Sequence, residues 1–303
     1  MKIGLQLPEA ERIVRWPELR EMAITAERIG FDSLWVGDHL LYRSESGRAR
    51  GPWEAWSTLA ALAAVTERVI LGPLVASTSF HAPAMMAKKA STIDEISNGR
   101  LILGLGAGWN EPEYRAFGFP YDRRFSRFEE AFTIIRRMIA GETVSFSGQY
   151  YTVEDAVLLP ESAPNRKIPL LVGTYGEKML RATLPWIDAW NAWYDDFGND
   201  PEQFAALNTR VTSICEAVGR DPLAVERTAA VLVQVGGGEG RPTLYASGPQ
   251  ATPVSGSNED IAARLREFVD AGAEHLQIVL DPITTEAIQT LARIVAELRP
   301  ASS

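Results

Sequence analysis

The chain has 303 residues, of which 46% are hydrophobic and 23% are charged, and its formal net charge at pH 7 is −9. This size and apolar content suit one large α/β domain, and the negative charge argues against nucleic acid as the main partner. No apolar run reaches the roughly 18 residues of a membrane span. The single cysteine, Cys215, excludes an internal disulfide, and the chain enters a strand directly after Met1, so we expect a cytoplasmic location.

Short apolar runs alternate with helical patterns along the chain. The predicted strands, in chain order, are 3–7, 33–36, 69–75, 101–105, 168–172, 188–192, 228–235 and 276–280. Between them lie helical segments, the first with Leu19, Met22, Ala23 and Ala26 at the spacing of a buried helix face. Eight such units without a change in composition predict a single (β/α)8 TIM barrel over residues 1–303. A doubly wound open sheet is the alternative, but no dinucleotide-binding glycine pattern follows the first strand.

Two segments fall outside this alternation. Residues 144–153 resemble a small hairpin inserted into the barrel pattern. Residues 236–257 are rich in glycine, proline and serine, which predicts a mobile loop after the seventh strand. Because such loops diverge freely, we expect this one to shape the substrate pocket, and the sequence does not identify the substrate.

Barrel active sites lie at the carboxyl ends of the strands, and this rule sorts the three histidines. His39 follows the second strand and His81 follows the third, so both lie at the mouth of the barrel, whereas His275 precedes the eighth strand at the opposite end. Asp38 is the sequence neighbour of His39, but the two side chains need not point the same way. Other residues also fall at strand ends on the mouth side, where each is equally explained as a loop residue with local hydrogen bonds: Gln6, Ser77, Trp109, Thr174 and Trp190.

Two glycine-containing segments follow predicted strands at the mouth. Gly106 and Gly108 let the backbone turn tightly without a Cβ that would block a ligand, and Trp109 adds an aromatic wall. Residues 173–178 lead from the fifth strand into a helix, where free backbone N–H groups, the helix dipole and Lys178 suit a phosphate. An ordinary strand-to-helix turn explains each segment equally well.

The candidate residues favour chemistry carried by a bound cofactor. The histidines come singly, without the paired spacing of metal ligands, so we predict no metal site. No Gly-x-Ser-x-Gly nucleophile elbow is present. A mouth that is aromatic, rich in glycine and short of strong nucleophiles is typical of a cofactor-dependent enzyme.

Eight short motifs, taken in their order and spacing, resemble the luciferase-like monooxygenase superfamily, whose members are flavin- or deazaflavin-dependent barrels. The matching motifs lie at 32–39, 54–56, 66–72, 81–84, 93–100, 104–118, 173–178 and 188–191. The resemblance runs from Lys2 to about Ala192 and continues more weakly through the last two units. The sequence is most similar to the subgroup that uses the deazaflavin coenzyme F420, because Gly-Glu-Lys follows the fifth strand.

The resemblance implies roles for residues at matching positions. His39, together with Asp38, is implied as the catalytic residue beside the reactive face of the cofactor ring. A bulge in the third strand, with a cis peptide between Leu74 and Val75, is implied behind that ring. The implied cofactor-binding residues are His39, Leu74, Val75, Ala76, Ser77, Gly106, Ala107, Gly108, Trp109, Gly173, Thr174, Tyr175, Gly176, Glu177 and Lys178. The candidate substrate-binding residues are Gln6, Trp190 and Trp193.

Ala107 bears on the choice of cofactor, because bacterial luciferases place a phosphate-binding arginine at this position. FMN ends in a single phosphate, and its sites gain from a bidentate cation. A deazaflavin continues past its phosphate into an anionic tail, which Arg43, Arg48 and Arg50 are positioned to meet, although they equally suit a solvated loop. The sequence therefore favours coenzyme F420, with FMN as the alternative because backbone amides alone can hold a phosphate.

These observations give three hypotheses for function. The first is a coenzyme F420-dependent oxidoreductase that transfers a hydride between the deazaflavin and a small organic substrate, in a direction that the sequence does not predict. The second is an FMN-dependent monooxygenase that uses reduced flavin and oxygen. The third is a non-catalytic barrel that binds a cofactor or ligand. The resemblance also implies a homodimer, for which the small residues Ala60, Ala61, Ala63 and Ala64 offer a helix face, although they serve helix-to-barrel packing equally well.

Overall fold

The structure is a computed structural model that describes residues 1–43, 49–161, 166–238 and 251–298. Its strands are β1 Lys2–Gln6, β2 Ser33–Val36, β3 Tyr42–Arg43, β4 Ala49–Arg50, β5 Ile70–Pro73, β6 Ala76–Ser77, β7 Leu103–Gly106, β8 Val144–Ser147, β9 Thr152–Ala156, β10 Leu170–Gly173, β11 Ala189–Ala192, β12 Glu226–Gln234 and β13 His275–Asp281. Its α-helices are α1 Trp16–Ile29, α2 Ala55–Val65, α3 Pro83–Ile96, α4 Glu111–Phe117, α5 Arg124–Ile139, α6 Glu177–Thr183, α7 Pro201–Ala217, α8 Asn258–Asp270 and α9 Thr285–Leu298. None of these helices is both long and apolar enough to cross a lipid bilayer.

A parallel sheet forms the centre of the molecule. Its strands are hydrogen-bonded in the order β5-β2-β1-β13-β12-β11-β10-β7-β6. A parallel bridge between Leu71 and Leu101 joins β5 to the segment before β7, so the sheet comes round on itself. This arrangement confirms the α/β barrel predicted from the sequence. In the described ranges the sheet has nine strand segments instead of eight. The predicted third strand, 69–75, is observed as β5, and the short strand β6 follows it directly.

The break in the third strand lies at Leu74 and Val75, and the peptide bond between them is cis, which confirms the expectation from the resemblance. Here β5 pairs with β2, whereas β6 pairs with β7. The Val75 side chain lies over glycines of the neighbouring strands, because an added Cβ would come within 2.6 Å of it at Gly106 and 3.2 Å at Gly104 and Gly173. The space that we expected a ligand to use at Gly106 is therefore taken by Val75.

Buried side chains fill the barrel towards the amino ends of its strands. Trp35 is fully buried, its indole N–H donates to Ser33 Oγ at 2.7 Å, and Ser33 Oγ lies 2.8 Å from His275 Nε2. Burial lowers the pKa of His275 to about 3, so this histidine is neutral at physiological pH. Arg100 fixes the same end by donating to four backbone carbonyl groups. This end has a structural role, and the mouth is left for chemistry.

Strands β8 and β9 form an antiparallel pair outside the barrel sheet, in the region where we predicted a hairpin. Glu130 on α5 accepts hydrogen bonds from three successive amides of the connecting turn, at 2.8 to 3.0 Å. Residues 239–250 of the predicted mobile loop lie outside the described ranges, and so does Arg48. The described chain after that loop includes Val254, which forms a parallel bridge with Val233 at the end of β12.

We predict that Gly104→Ala destabilises the barrel by about 1–3 kcal/mol, the usual range for overpacking. The added Cβ would lie 2.2 Å from the Pro73 carbonyl oxygen, a backbone atom that cannot rotate away. Urea unfolding followed by circular dichroism measures the change. Gly236→Ala is the matched control, because no atom lies within 4 Å of its Cβ. Equal stability of the two variants would contradict the packing role that we assign to the broken strand.

Candidate active site

His39 leaves the carboxyl end of β2 and meets a buried carboxylate. Its Nδ1 lies 2.9 Å from Glu113 Oε1, and the side chains of His39 and Glu113 are 18% and 1% exposed. Because an ionised carboxylate only accepts, Nδ1 carries the proton in this contact. The second oxygen of Glu113 accepts from the amides of Leu40 and Leu41 at 2.8 and 3.4 Å. Glu113 therefore fixes the imidazole ring and leaves its Nε2 for a ligand.

The surroundings of His39 raise its pKa. Burial, the largest influence, lowers the pKa, but the hydrogen bond to Glu113 and the negative charges of Glu9, Glu113 and Asp38 together outweigh it. The protonated ring is therefore more populated near neutral pH than that of a free histidine. This ring is suited to deliver a proton and take it back.

Sequence reasoning missed Glu113 and Glu9. Glu113 lies in the first turn of α4, directly after the glycine segment that follows β7. Its position shortly after a strand end is the sequence signal that could have placed this carboxylate at the mouth. Glu9 lies three residues beyond β1 and accepts from Gln6 Nε2 at 2.8 Å and from the Tyr42 hydroxyl at 3.2 Å. The Tyr42 ring also lies 4.6 Å from the ring of His39. The contacts of Glu113 with His39 and of Glu9 with Tyr42 join residues 74 and 33 positions apart in the chain, which a single sequence does not reveal.

Asp38 points away from the ring of His39 and towards the broken strand. Its Oδ2 accepts from the Ser77 amide at 3.0 Å and lies 3.1 Å from His81 Nε2, and the residue is only 3% exposed. The structure thus brings the predicted residues Asp38, Ser77 and His81 together. The catalytic role predicted for Asp38 stays a prediction. In the structure its carboxylate contacts His81 and the backbone that follows the bulge.

The segment after β7 is fixed by Tyr114. The Tyr114 hydroxyl donates to the Ala107 carbonyl at 2.7 Å and lies 3.1 Å from Ser77 Oγ. Gly108 has a φ of +72°, and an added Cβ would lie 1.9 Å from the Tyr114 hydroxyl oxygen, so glycine is required here. Trp109 is 47% exposed and meets the ring of His39 edge-on, 5.6 Å between ring centres. Trp109 is therefore placed as one wall beside His39.

The segment after β10 leaves backbone donors at the start of α6. The first hydrogen bond of the helix runs from the Leu180 amide to the Gly176 carbonyl, so the amides of Glu177, Lys178 and Met179 are not used within it. The Gly176 amide donates to Thr174 Oγ1 at 3.2 Å. Of the remaining predicted residues, Tyr175 is 56% exposed at the surface. Free amides at this point fit the phosphate site predicted from the sequence.

Two cations lie between these segments, and one of them was missed. Lys178 Nζ lies 4.1 Å from the ring centre of Phe125, at the start of α5. Its neighbour Arg124 donates from Nη1 to the Gly108 carbonyl at 2.9 Å. A guanidinium thus lies beside the segment of Ala107 although that residue itself has no charge. No sequence signal connects positions 108 and 124, because α4 and a turn separate them.

The predicted substrate-binding residues have different surroundings. Gln6 is buried and donates to Glu9. Trp190 is fully buried, its ring stacks on Phe204 of α7 at 6.0 Å, and its indole N–H donates to the Thr174 carbonyl at 2.6 Å. The Trp190 ring thus faces the helix layer and supports the segment after β10. Trp193 is half-buried in the turn after β11.

The arginines predicted to meet the anionic tail of the deazaflavin also have different surroundings. Arg50 Nη1 donates to the Glu11 carbonyl at 3.3 Å, and Arg43 is exposed. In the described ranges, no three histidine, cysteine, aspartate or glutamate side chains are arranged to hold a metal ion.

The chain belongs to the luciferase-like monooxygenase family, whose sequence profile matches residues 2–240. It is 36% identical over 170 residues to an F420-dependent glucose-6-phosphate dehydrogenase of Microbacterium testaceum, covering 54% of this chain and 48% of the relative. It is 32% identical over 182 residues to the 5,10-methylenetetrahydromethanopterin reductase of Archaeoglobus fulgidus, covering 60% and 49%. The chain spans about half the length of these curated relatives.

Two solved structures share the fold. An F420-dependent secondary alcohol dehydrogenase in complex with an F420-acetone adduct has a TM-score of 0.83 at 19% identity, with 99% of both chains covered. The coenzyme F420-dependent tetrahydromethanopterin reductase of Methanopyrus kandleri has a TM-score of 0.79 at 16% identity, covering 98% of this chain and 99% of the other. At these identities the likeness shows the barrel fold.

We predict that Glu113→Gln lowers the pKa of His39, because the variant removes the negative charge in contact with Nδ1. With three histidines in the chain, the ring C–H signals can be followed by proton NMR across pH. The raised pKa of His39 also contributes to the stability of the fold. This contribution is complete below a pH of about 6.5, the usual pKa of an unfolded histidine, and it is lost as the pH rises through the pKa of the folded state. Glu111→Gln, on the exposed side of α4, is the control. An unchanged His39 titration in Glu113→Gln would contradict the pairing.

We predict that Asp196→Asn stabilises the protein at pH 8 and has little effect at pH 4. Burial, helped by the charge of Asp195, raises the pKa of Asp196 from 3.8 to about 6, although its carboxylate accepts from the Trp193 amide at 3.2 Å. The ionised form is therefore disfavoured in the folded state, so stability is lost as pH rises through this range. The gain has an upper limit of about 3 kcal/mol. Urea unfolding at both pH values tests this, and an equal change at both would argue against it.

Proposed function

We propose that the chain is a coenzyme F420-dependent oxidoreductase that transfers a hydride between the deazaflavin and a small organic substrate. The observation that carries the proposal is the His39–Glu113 pair at the mouth, on the same side of the barrel as the broken strand and the two glycine segments. The name of the Microbacterium testaceum relative, an F420-dependent dehydrogenase, supports the cofactor at 36% identity over about half of that protein's length. The name of the Archaeoglobus fulgidus relative, a reductase, supports oxidation–reduction chemistry.

The residues present fit a ring that carries a phosphate. The amides of Glu177 to Met179, which the helix does not use, and the Lys178 ammonium are the donors that would hold the phosphate. Arg124, whose neighbour Phe125 lies under Lys178, would supply a second cation from the side of Gly108. We assign the rear of the ring to 74–77 and its side chain to 106–109. When bound, the deazaflavin supplies or receives the hydride at a ring carbon. His39 would lie beside the bound ring, with Trp109 as a neighbouring aromatic wall.

His39 provides the proton that accompanies hydride movement. Nδ1 is held by Glu113, so Nε2 is the atom that exchanges a proton with the substrate oxygen. For oxidation of a hydroxyl, Nε2 accepts the proton as the hydride leaves the carbon. For reduction of a carbonyl, the protonated ring donates it. The raised pKa suits the second direction, in which the ring starts protonated.

One observation favours the FMN-dependent monooxygenase as a second candidate. Arg124 brings a guanidinium to the carbonyl of Gly108, so the absence of charge at Ala107 does not leave the segment without a cation. A single terminal phosphate can use this group bidentately. The third candidate, a non-catalytic barrel, predicts a bound cofactor and no turnover.

Equilibrium titration of the purified chain with coenzyme F420 and with FMN decides between the first two candidates. We expect tighter binding of the deazaflavin, whose tail extends its contacts beyond the phosphate. Ala107→Arg should narrow the difference by strengthening FMN binding. If FMN binds at least tenfold tighter than coenzyme F420, a difference of about 1.4 kcal/mol, the monooxygenase hypothesis replaces the deazaflavin hypothesis.

In the same experiment His39→Ala separates binding from chemistry. We expect turnover to fall by about 10²-fold or more, the range for loss of a general acid–base, while cofactor affinity changes less. Hydride transfer is followed by the absorbance of the oxidised deazaflavin against a panel of small alcohols and carbonyl compounds. Undiminished turnover in the variant would remove His39 from the mechanism.

We also propose that the protein acts in the cytoplasm as a homodimer. In helix α2, Ala63 is buried against the barrel and Ala64 is exposed, so Ala64 is a small residue that a second copy could approach. Sedimentation velocity at micromolar concentration should give about twice the 33.3 kDa of one chain. A single species at the monomer mass would contradict the dimer.

A further inference from the structure

His81 lies at the mouth but contacts none of the reacting positions assigned above. Its ring lies between Asp38, Trp56 of α2 and Lys89 of α3. Nε2 is 3.1 Å from Asp38 Oδ2 and 3.0 Å from Trp56 Nε1, while Nδ1 is 3.3 Å from Lys89 Nζ. The side chain is 11% exposed. This ring therefore joins two outer helices to the residue that holds the broken strand.

The three contacts cannot all be hydrogen bonds in one protonation state. The Trp56 indole and the Lys89 ammonium can only donate, whereas the Asp38 carboxylate can only accept. With the proton on Nε2, the ring donates to Asp38 and accepts from Lys89, which makes two charge-assisted bonds, and the Trp56 indole N–H loses Nε2 as its acceptor. With the proton on Nδ1, only the neutral bond from Trp56 is made, and Asp38 faces a lone pair. Charge-assisted bonds are about twice as strong, so the Nε2–H form is favoured.

The chain of contacts continues from Asp38 to both ring-binding segments. Asp38 Oδ2 also accepts from the Ser77 amide at 3.0 Å, directly after the bulge. Ser77 Oγ lies 3.1 Å from the Tyr114 hydroxyl, which donates to the Ala107 carbonyl at 2.7 Å. Asp38, Ser77 and Tyr114 are each 4% exposed or less. A change at His81 therefore reaches segments 74–77 and 106–109 through buried polar groups.

We propose that His81 is a positioning residue, held as the Nε2–H tautomer by Lys89, that orients Asp38 and thereby sets the backbone of Ser77 for cofactor binding. The residue acts through Asp38 and does not touch the cofactor or the substrate. Its effect on binding rests on the proposed function, whereas its effect on the Ser77 amide does not. The two parts are tested separately.

The tautomer and the Ser77 amide are measured without any cofactor. Ring nitrogen NMR of the 15N-labelled wild-type protein, in which His81→Gln assigns the signal, should show a protonated Nε2 and an unprotonated Nδ1. Amide hydrogen exchange at Ser77 should become at least tenfold faster in His81→Phe, which keeps the ring shape and removes both nitrogens. His81→Gln should restore protection, because its amide N–H₂ can donate to Asp38.

Two neighbouring lysines of α3 provide a test variant and its control. Lys89→Met should release Nδ1 and increase Ser77 exchange. Lys88→Met is the control, because the Lys88 ammonium donates to the Leu159 carbonyl and not to His81. Thermal unfolding identifies any variant that is globally destabilised. If a variant is destabilised, the test rests on the ring nitrogen NMR spectra of the wild type and on Ser77 exchange in His81→Gln. A protonated Nδ1 in the wild type would overturn the proposal, and so would unchanged Ser77 exchange in folded His81→Phe.

Titration with coenzyme F420 tests the effect on binding. We expect the dissociation constant to rise about tenfold in His81→Phe, and to stay within about threefold of the wild type in His81→Gln and Lys88→Met. Equal affinity in folded His81→Phe would overturn the positioning role. If the wild type itself does not bind the deazaflavin, the proposed function fails, and the exchange and NMR measurements still decide the link from His81 to Ser77.

Discussion

The break in the third barrel strand is the constraint on which the mouth of this protein depends. A continuous strand would pair with both neighbours along its length. Here β5 pairs with β2 and bridges to the chain before β7 at Leu71, whereas β6 pairs with β7. Val75 crosses the interior at this break, and the strands beside it carry glycines where a side chain would collide with it. The Ser77 amide that follows is held by the Asp38 carboxylate. Backbone, glycines and carboxylate thus form one unit that shapes the floor of the site.

The second constraint is electrostatic, and it explains why a histidine at this mouth has a raised pKa. Glu113 is buried, yet its charge is balanced by two backbone amides and by its place in the first turn of α4. The other oxygen of this carboxylate accepts the hydrogen bond from His39 Nδ1. The result is a ring of fixed orientation whose other nitrogen, Nε2, takes no part in the contact with Glu113. Under the proposed function, such an arrangement supplies the proton partner for hydride transfer.

The sequence predicts the barrel and the location of His39 for a physical reason. Alternating apolar runs and helical patterns leave few arrangements for parallel strands, and in a barrel the residue after a strand lies at the mouth. The direction of a side chain is harder to predict from the sequence, because it depends on the neighbour across the sheet. Trp190 illustrates this, since it lies at the predicted strand end but its ring stacks on α7. Glu113 and Arg124 were missed because their partners are remote or lie across a helix.

We propose that the broken strand covers one face of a deazaflavin ring and leaves the other face to His39. Chemical reduction of the enzyme-bound oxidised deazaflavin with borodeuteride tests this without a substrate. Deuterium enters the reactive ring carbon, and NMR of the released cofactor distinguishes the two faces because its side chain is chiral. The account predicts delivery to a single face of the bound cofactor, compared with both faces of the free cofactor. Deuterium on both faces of the bound cofactor in equal amounts would contradict it.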